Sequence, residues 1–334
     1  QSMKFLLNCL LLVLCQVEAM ACNNRSNSNP SVFILVGIPG LEAAYFWMAF
    51  PFCSMYLVAL LGNCVLLLTI LLAHTLHHPM FYFLAMLAMI DLVMATSVVP
   101  KMLGIFWMGS QEIGFDACFT QMFLIHATTA VESGVLLAMA FDRYIAICHP
   151  LRYETILTSQ RVMQIGLAIL ARGILYMVPL TWMLRRLPYC ASRVISHSYC
   201  EHMVVMKLAC ADYSASSTYN LVGTTLIVGT DTAFIALSYR LILKVVGKLA
   251  EKTERLKSFS TCSSHICVML LYYLPGLASI YIQCFPQAVP PHVQVLLADL
   301  YLSLPPMLNP VIYSIRTKQV RERSIHVEFQ HLFL

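Results

Sequence analysis

Charge is what this chain has least of. Only 11% of its 334 residues are Asp, Glu, Lys or Arg, against 59% hydrophobic residues. With a mean hydropathy of +0.75, an ordinary soluble domain of this length is excluded. Also missing are a Walker-type phosphate loop, a His-Glu-x-x-His pair and a serine elbow, so the chain does not read as an enzyme. Strand-type alternation is absent, which argues against a membrane β-barrel. No internal repeat is visible, which argues against a transporter built from repeated halves. The formal net charge is only +5, and nothing supports nucleic-acid binding.

What is present is a series of long apolar runs. A helix needs roughly 20 apolar residues to cross about 30 Å of hydrocarbon. Seven such spans can be read near 44–72, 79–106, 115–148, 161–183, 218–246, 258–284 and 292–315. Lipid offers the backbone no hydrogen bonds, so the spans are helices. The expected fold is an all-α membrane protein, a bundle of seven transmembrane helices at 44–315. An extracellular tail over 20–43 precedes it, and a cytoplasmic tail over 316–334 follows with a short amphipathic helix.

Lys and Arg set the orientation. With the N-terminus outside, the cytoplasmic side receives Arg143, Arg152, Arg161, Arg240, Lys244, Lys248, Lys252, Arg255, Lys257, Arg316, Lys318, Arg321 and Arg323, most of the 21 basic residues. The outer side receives Arg25, Arg185, Arg186, Arg193 and Lys207; Lys101 and Arg172 fall inside or near helices. The positive charge is a topology signal.

The few charges inside the spans are costly there and call for a reason. Asp91 and Glu132 are flanked by apolar residues on both sides, whereas Asp142-Arg143 lies at a helix end. Two acids brought together repel if both ionise, so either one is protonated or a cation sits between them.

Thirteen cysteines are present, and Cys118, Cys190, Cys200 and Cys210 fall on the oxidising side. Four cysteines allow three pairings. Asn24-Arg25-Ser26 is a glycosylation sequon on the outer side, at Asn24. Residues 1–19, with Lys4 before an apolar run and Val17-Glu18-Ala19 after it, read either as a signal peptide or as an upstream extension before Met20.

Several strings in fixed order carry a resemblance. They are Gly62-Asn63; Leu76-His77-His78-Pro79-Met80-Phe81-Tyr82; Met139-Ala140-Phe141-Asp142-Arg143-Tyr144-Ile145-Ala146-Ile147-Cys148; Lys257-Ser258-Phe259-Ser260-Thr261-Cys262-Ser263-Ser264-His265; and Pro305-Pro306-Met307-Leu308-Asn309-Pro310-Val311-Ile312-Tyr313. From residue 30 to 324 the chain resembles an olfactory receptor, within the rhodopsin-like G-protein-coupled receptors. Gly37-Ile38-Pro39-Gly40-Leu41-Glu42 and Thr317-Lys318-Gln319-Val320-Arg321-Glu322 resemble the class I, fish-like branch, near families 51, 52 and 56.

The resemblance implies a small volatile or semi-volatile odorant bound within the bundle, and activation of a heterotrimeric G protein of the stimulatory, olfactory type, read out as cyclic AMP. It implies a multi-pass protein of the plasma membrane, in the cilia of olfactory neurons, with membrane lipid around it. The alternatives are a non-olfactory chemosensory receptor and an ion-coupled transporter that uses the buried acids.

Disulfides Cys118–Cys200 and Cys190–Cys210 follow from the resemblance. So does a ligand site at His126, Thr129, His202, Tyr219, Asn220, Gly223, Tyr273, Leu277, Ile280 and Cys284. The implied activation switch is Asp142, Arg143 and Tyr144 with Tyr239, Asn309, Pro310 and Tyr313. In it Arg143 exchanges Asp142 for Tyr239 or Tyr313 as helix six swings out, and Pro310 permits a bend. No cofactor is expected apart from a sodium ion at Asp91, Glu132 and Asn309. Lys248, Lys252 and Arg255 share a face and either contact the G protein or anchor the helix ends in water.

One departure bears on ligand chemistry. Many class I receptors carry His-Arg-Phe-Gly at the outer end of helix six, where the Arg can clamp a carboxylate. Here the string is Gln283-Cys284-Phe285-Pro286, so a neutral ligand is expected rather than a fatty acid.

Overall fold

In the computed structural model the described residues are 30–73, 76, 78–190, 192–248, 252–284 and 289–316, with the side chains of 252–261, 264, 279–281, 283, 284, 315 and 316 left aside. Seven long helices run through them: α1 (Tyr45–Leu72), α2 (Pro79–Met108), α3 (Phe115–Cys148), α4 (Ser159–Arg185), α5 (Ser214–Val246), α6 (Lys252–Cys284) and α7 (Pro291–Arg316). Six are long and apolar enough to cross a membrane, and the apolar part of α6 is His265–Ala278. Helices α4, α5 and α6 start two to six residues before the expected spans. Hydropathy marks the part of a helix that sits in lipid, and these helices continue past it into polar sequence.

Burial runs opposite to that of a water-soluble protein. Large apolar side chains such as Trp47, Leu61, Leu71, Leu175, Leu226 and Leu274 point outward, while Asn63, Asp91, Glu132, Asp142, Asp231, Asp299 and Asn309 are buried. In hydrocarbon the buried interior is where polar groups find partners. Helix α3 is the hub. Of its most apolar stretch 67% is buried, against 17% for α5, which lies at the rim. Asn63 ties α1 to α7 by donating to the Pro306 carbonyl at 2.9 Å.

The outer end carries a small sheet to which the expected extracellular tail over 20–43 contributes a strand. Strand β1 (Val32–Leu35) lies between β2 (Glu112–Gly114), antiparallel with Phe33 opposite Ile113, and β3 (Val194–Ile195), parallel with Ile34 opposite Val194. Phe33 and Leu35 are fully buried while Val32 and Ile34 are not. All four residues are apolar, so this period of two leaves no trace in the sequence. The following turn requires glycine at Gly37, where φ is +87° and a Cβ would stand 2.6 Å from the Tyr45 hydroxyl. That hydroxyl donates to the carbonyls of Val36 at 2.9 Å and Ile38 at 3.0 Å, fastening the tail to α1.

Candidate functional site

The segment between α4 and α5 roofs the outer end of the bundle. Cys118 at the start of α3 is joined to Cys200, and Cys190 is joined to Cys210. Each bridge removes freedom from the unfolded chain, an effect typically worth about 2–4 kcal/mol. Phe33, Phe115, Phe119 and Tyr189 pack ring against ring beside the first bridge. Gln121 of α3 accepts from the Cys200 amide at 3.0 Å and donates to the Ser97 carbonyl of α2 at 2.9 Å. Ser198 donates to Asp299 of α7. Glu201 caps the short helix His202–Met206, its carboxylate accepting from the Val204 amide at 2.7 Å. Burial raises the Glu201 carboxyl pKa above its ordinary value.

Beneath this roof lies a cavity of about 330 Å³. Its walls come from α3 (Ile125, His126, Thr129), the roof (Tyr199, Glu201, Met203, Lys207) and α7 (Ala298, Tyr301, Leu302). The His126 ring stands 5.9 Å from the His202 ring, at 85° to it. The Nε2 atoms of both are buried without a protein partner. His202 Nδ1 lies 3.4 Å from the Asn220 amide nitrogen. Burial, with His126 beside it, pushes the His202 imidazole down to about 3, so it is neutral at physiological pH.

The expected ligand residues do not all meet here. His126 and Thr129 line the cavity, with His202 behind His126. Tyr219 stacks on Tyr176 of α4 and donates to its carbonyl, and Asn220 accepts from the Tyr176 hydroxyl at 2.7 Å. Gly223 leaves room for that same ring, since a Cβ there would come within 2.3 Å of it. These three form the α4–α5 joint and are not among the lining residues. Leu277 is 54% exposed and faces outward, as its place on the lipid side of α6 dictates. The side chains of Ile280 and Cys284 lie outside the described residues, as do Asn24, residues 1–19, the tail beyond 316 and the side chains of Lys252 and Arg255.

Tyr273 is drawn into a polar network that the sequence reading missed. Its hydroxyl is 3.0 Å from Ser133 of α3. Ser133 donates to Asp231 of α5 at 2.7 Å, and Arg172 of α4 grips Asp231 with two bonds of 2.7 and 2.8 Å. Four helices therefore converge on one buried carboxylate. A signal was available, because Arg172 and Asp231 are lone opposite charges in neighbouring spans.

The inner end repeats the theme more sparsely. Arg143 donates to Asp142 at 2.7 and 3.1 Å, and Tyr153 donates to the other Asp142 oxygen at 2.6 Å. Burial and the Asp142 charge raise the Tyr153 hydroxyl pKa. Tyr239 is bonded to His265 of α6 at 2.7 Å, and Tyr313 is fully buried with a hydroxyl that lacks a partner. Neither tyrosine hydroxyl is hydrogen-bonded to Arg143. Tyr144 lies 3.3 Å from His149. Between the two ends, Asn309 donates to both Asp91 oxygens at 3.0 and 3.1 Å, while Glu132 Oε1 and Asn309 Oδ1 are buried without a protein partner. Among the described residues no three His, Cys, Asp or Glu side chains converge as a metal cluster.

A seven-helix bundle with a roofed outer cavity and an Asp-Arg-Tyr triplet at its inner end is the architecture of a membrane receptor of the G-protein-coupled class. The comparisons narrow this. The olfactory receptor family model matches residues 52–331. Human olfactory receptor 52I2 is 54% identical over 92% of this chain and 89% of that protein. Human olfactory receptor 52I1 is 53% identical over 92% and 97%. Olfactory receptor 51E2 of Mus musculus is 50% identical over 90% and 93%. The chain belongs to the olfactory receptor family. It is a multi-pass membrane receptor for odorants that signals through a G protein, and it is not an enzyme; the transporter alternative falls away.

Proposed function

We propose that this receptor prefers neutral odorants of moderate size whose single polar head is an alcohol, aldehyde, ketone or ester. The observation that carries the reading is the unsatisfied Nε2 atom of His126 at the cavity wall, with His202, also unsatisfied at Nε2, behind it. A head that can donate or accept one hydrogen bond suits a neutral imidazole. A carboxylate brought in without a positive partner loses several kcal/mol of solvation. The buried His202 imidazole, neutral at physiological pH, does not supply that charge. Lys207 also lines the cavity, with the Glu201 carboxyl lining it close enough to feel that charge. Dose–response series of matched alcohols and acids, read as cyclic AMP in transfected cells, test the reading. It expects alcohols to act at lower concentration, and a clear preference for acids sinks it.

The G protein is of the stimulatory, olfactory type, and the site of action is the ciliary plasma membrane. A sodium ion at Asp91, Glu132 and Asn309 would draw on Glu132 Oε1 and Asn309 Oδ1, buried oxygens without a protein partner, beside an Asp91 carboxylate to which the Asn309 amide nitrogen already donates. Such an ion stabilises the state that binds it. The melting temperature then rises when sodium replaces a large organic cation in wild type, and does not in Asp91→Asn; equal melting in both salts removes the ion.

A further inference from the structure

We propose that Glu201 is a specificity-determining residue of the outer cavity: its carboxylate counters the pull of Lys207 on an entering acid and so keeps the receptor tuned to neutral heads. The inference rests on the preference for neutral odorants argued above and names the residue that enforces it.

Among the described residues that line the cavity, Lys207 is the single Lys or Arg and Glu201 the single Asp or Glu. The outer end of α6 adds no second cation, because the chain carries Gln283-Cys284 there. His197, a roof imidazole at the wall, is held neutral by burial, which pushes it down to about 3. Asp299 of α7 accepts from Ser198 and is not among the lining residues. The charge that a ligand meets under the roof is therefore that of one lysine and one glutamate.

The short helix His202–Met206 fixes both. Glu201 is its N-cap and Lys207 its C-cap. Six residues of helix separate the two α-carbons by about 9 Å. Among the described residues no ion pair joins the two side chains. The Glu201 carboxylate is held instead by the Val204 amide at 2.7 Å. Burial opposes ionisation of this carboxyl, while the Val204 amide and the Lys207 charge favour it. Glu201 thus acts on Lys207 and on a ligand through space, and partly buried charges are screened less than exposed ones. Lys207 is exposed, and its flexible stem lets the ammonium reach a head at the cavity wall. A carboxylate drawn to that ammonium also meets the Glu201 charge, and the attraction and the repulsion offset each other. An alcohol, aldehyde, ketone or ester carries no charge and is indifferent to both.

The test compares straight-chain primary alcohols with carboxylic acids of matching length on the full-length receptor, read as cyclic AMP, with surface staining of every variant. The readout is the ratio of half-maximal concentrations, acid over alcohol. Glu201→Gln removes the charge and keeps the carbonyl oxygen that accepts from Val204, so the cap survives. The ratio is expected to fall about tenfold in Glu201→Gln. In the double variant Glu201→Gln with Lys207→Gln it returns to the wild-type value. A ratio unchanged in Glu201→Gln overturns the proposal, because the glutamate is then a helix cap alone. A fall that persists in the double variant overturns it equally, because the attraction then comes from elsewhere. Should Glu201→Gln fail to reach the surface, Lys207→Glu, at an exposed position, is expected to raise the ratio, and no rise overturns the proposal. Where neither probe activates, a fatty acid and a fatty alcohol bearing a diazirine, photolysed on purified receptor, give the same ratio as labelling of 199–207 and 294–302. The wild-type preference tests the neutral-odorant reading, whereas the filter is read as the change between variants, so the two fail separately.

Discussion

The two ends of the bundle are closed by different means. At the outer end the chain is cross-linked: two disulfides, a three-stranded sheet that gathers residues from three separate segments, and a cluster of four aromatic rings. At the cytoplasmic end there are a few polar contacts that can exchange, Arg143 and Tyr153 on Asp142 and Tyr239 on His265, next to an apolar gap between α5 and α6. Breaking a covalent or closely packed cap costs several kcal/mol at once. Swapping one hydrogen-bond partner for another costs little. A ligand held under the fixed end is expected to bias the exchangeable end, as in any two-state equilibrium whose states differ in affinity for the ligand.

Changes at the inner end should cost function without costing the fold, and changes at the joint between the ends should do the reverse. The largest effect expected is from Arg143→Ala. It removes the exchangeable partner of Asp142, and odorant-driven cyclic AMP should vanish while surface staining stays near wild type. Normal signalling from a surface-expressed variant would contradict the contrast. Next comes Arg172→Leu, which leaves the buried Asp231 carboxylate unpaired. Removing one partner of a buried pair costs about 3–5 kcal/mol, so surface expression and melting temperature should fall together. Arg172→Leu combined with Asp231→Leu should recover much of both, and a double variant no better than the single would refute the pairing.

A smaller effect is expected from acid. Burial holds the roof imidazoles of His197 and His202 down to about 3, against an ordinary value near 6.5. The unfolded chain takes up these protons as the pH drops through about 6.5, and the folded roof does not. The stability they confer is complete above about 6.5 and is lost progressively toward about 3, up to roughly 2 kcal/mol per imidazole at pH 5. Glu201 works in the opposite sense and offsets part of it, since its raised pKa favours the folded state in acid. Thermal melts at pH 7.5 and 5 should show the lower value in acid, and His197→Phe should narrow the difference. A flat profile would separate the roof's stability from these groups.

The helices were legible because a membrane span must be apolar for about 20 residues whatever it packs against. The Arg143–Asp142 pair at the inner end was legible because Asp142-Arg143-Tyr144 is contiguous and charged. What escaped the reading depends on partners far away in the chain. Strand β1 needs edges from residues 112–114 and 194–195, and its own four residues carry no alternation to announce it. The placing of Tyr219, Asn220 and Gly223 at the α4–α5 joint depends on Tyr176, an aromatic that looks like any other in an apolar run. Asp299 and Lys207 near the cavity stand out as isolated charges, yet only the folded roof brings Ser198 to one and Glu201 beside the other.

The contrast between a fixed outer end and an opening inner end is most directly tested by two pairs of spin labels on the full-length receptor, read by electron–electron double resonance with and without an activating odorant. One pair replaces Trp107 and Trp182, both exposed on the outer parts of α2 and α4. The other uses Lys244 of α5 and the exposed free Cys267 of α6. The outer distance should stay fixed while the inner one lengthens by several Å as α6 leaves α5. An odorant that activates the receptor while moving the outer pair, with the inner pair unchanged, would contradict the account.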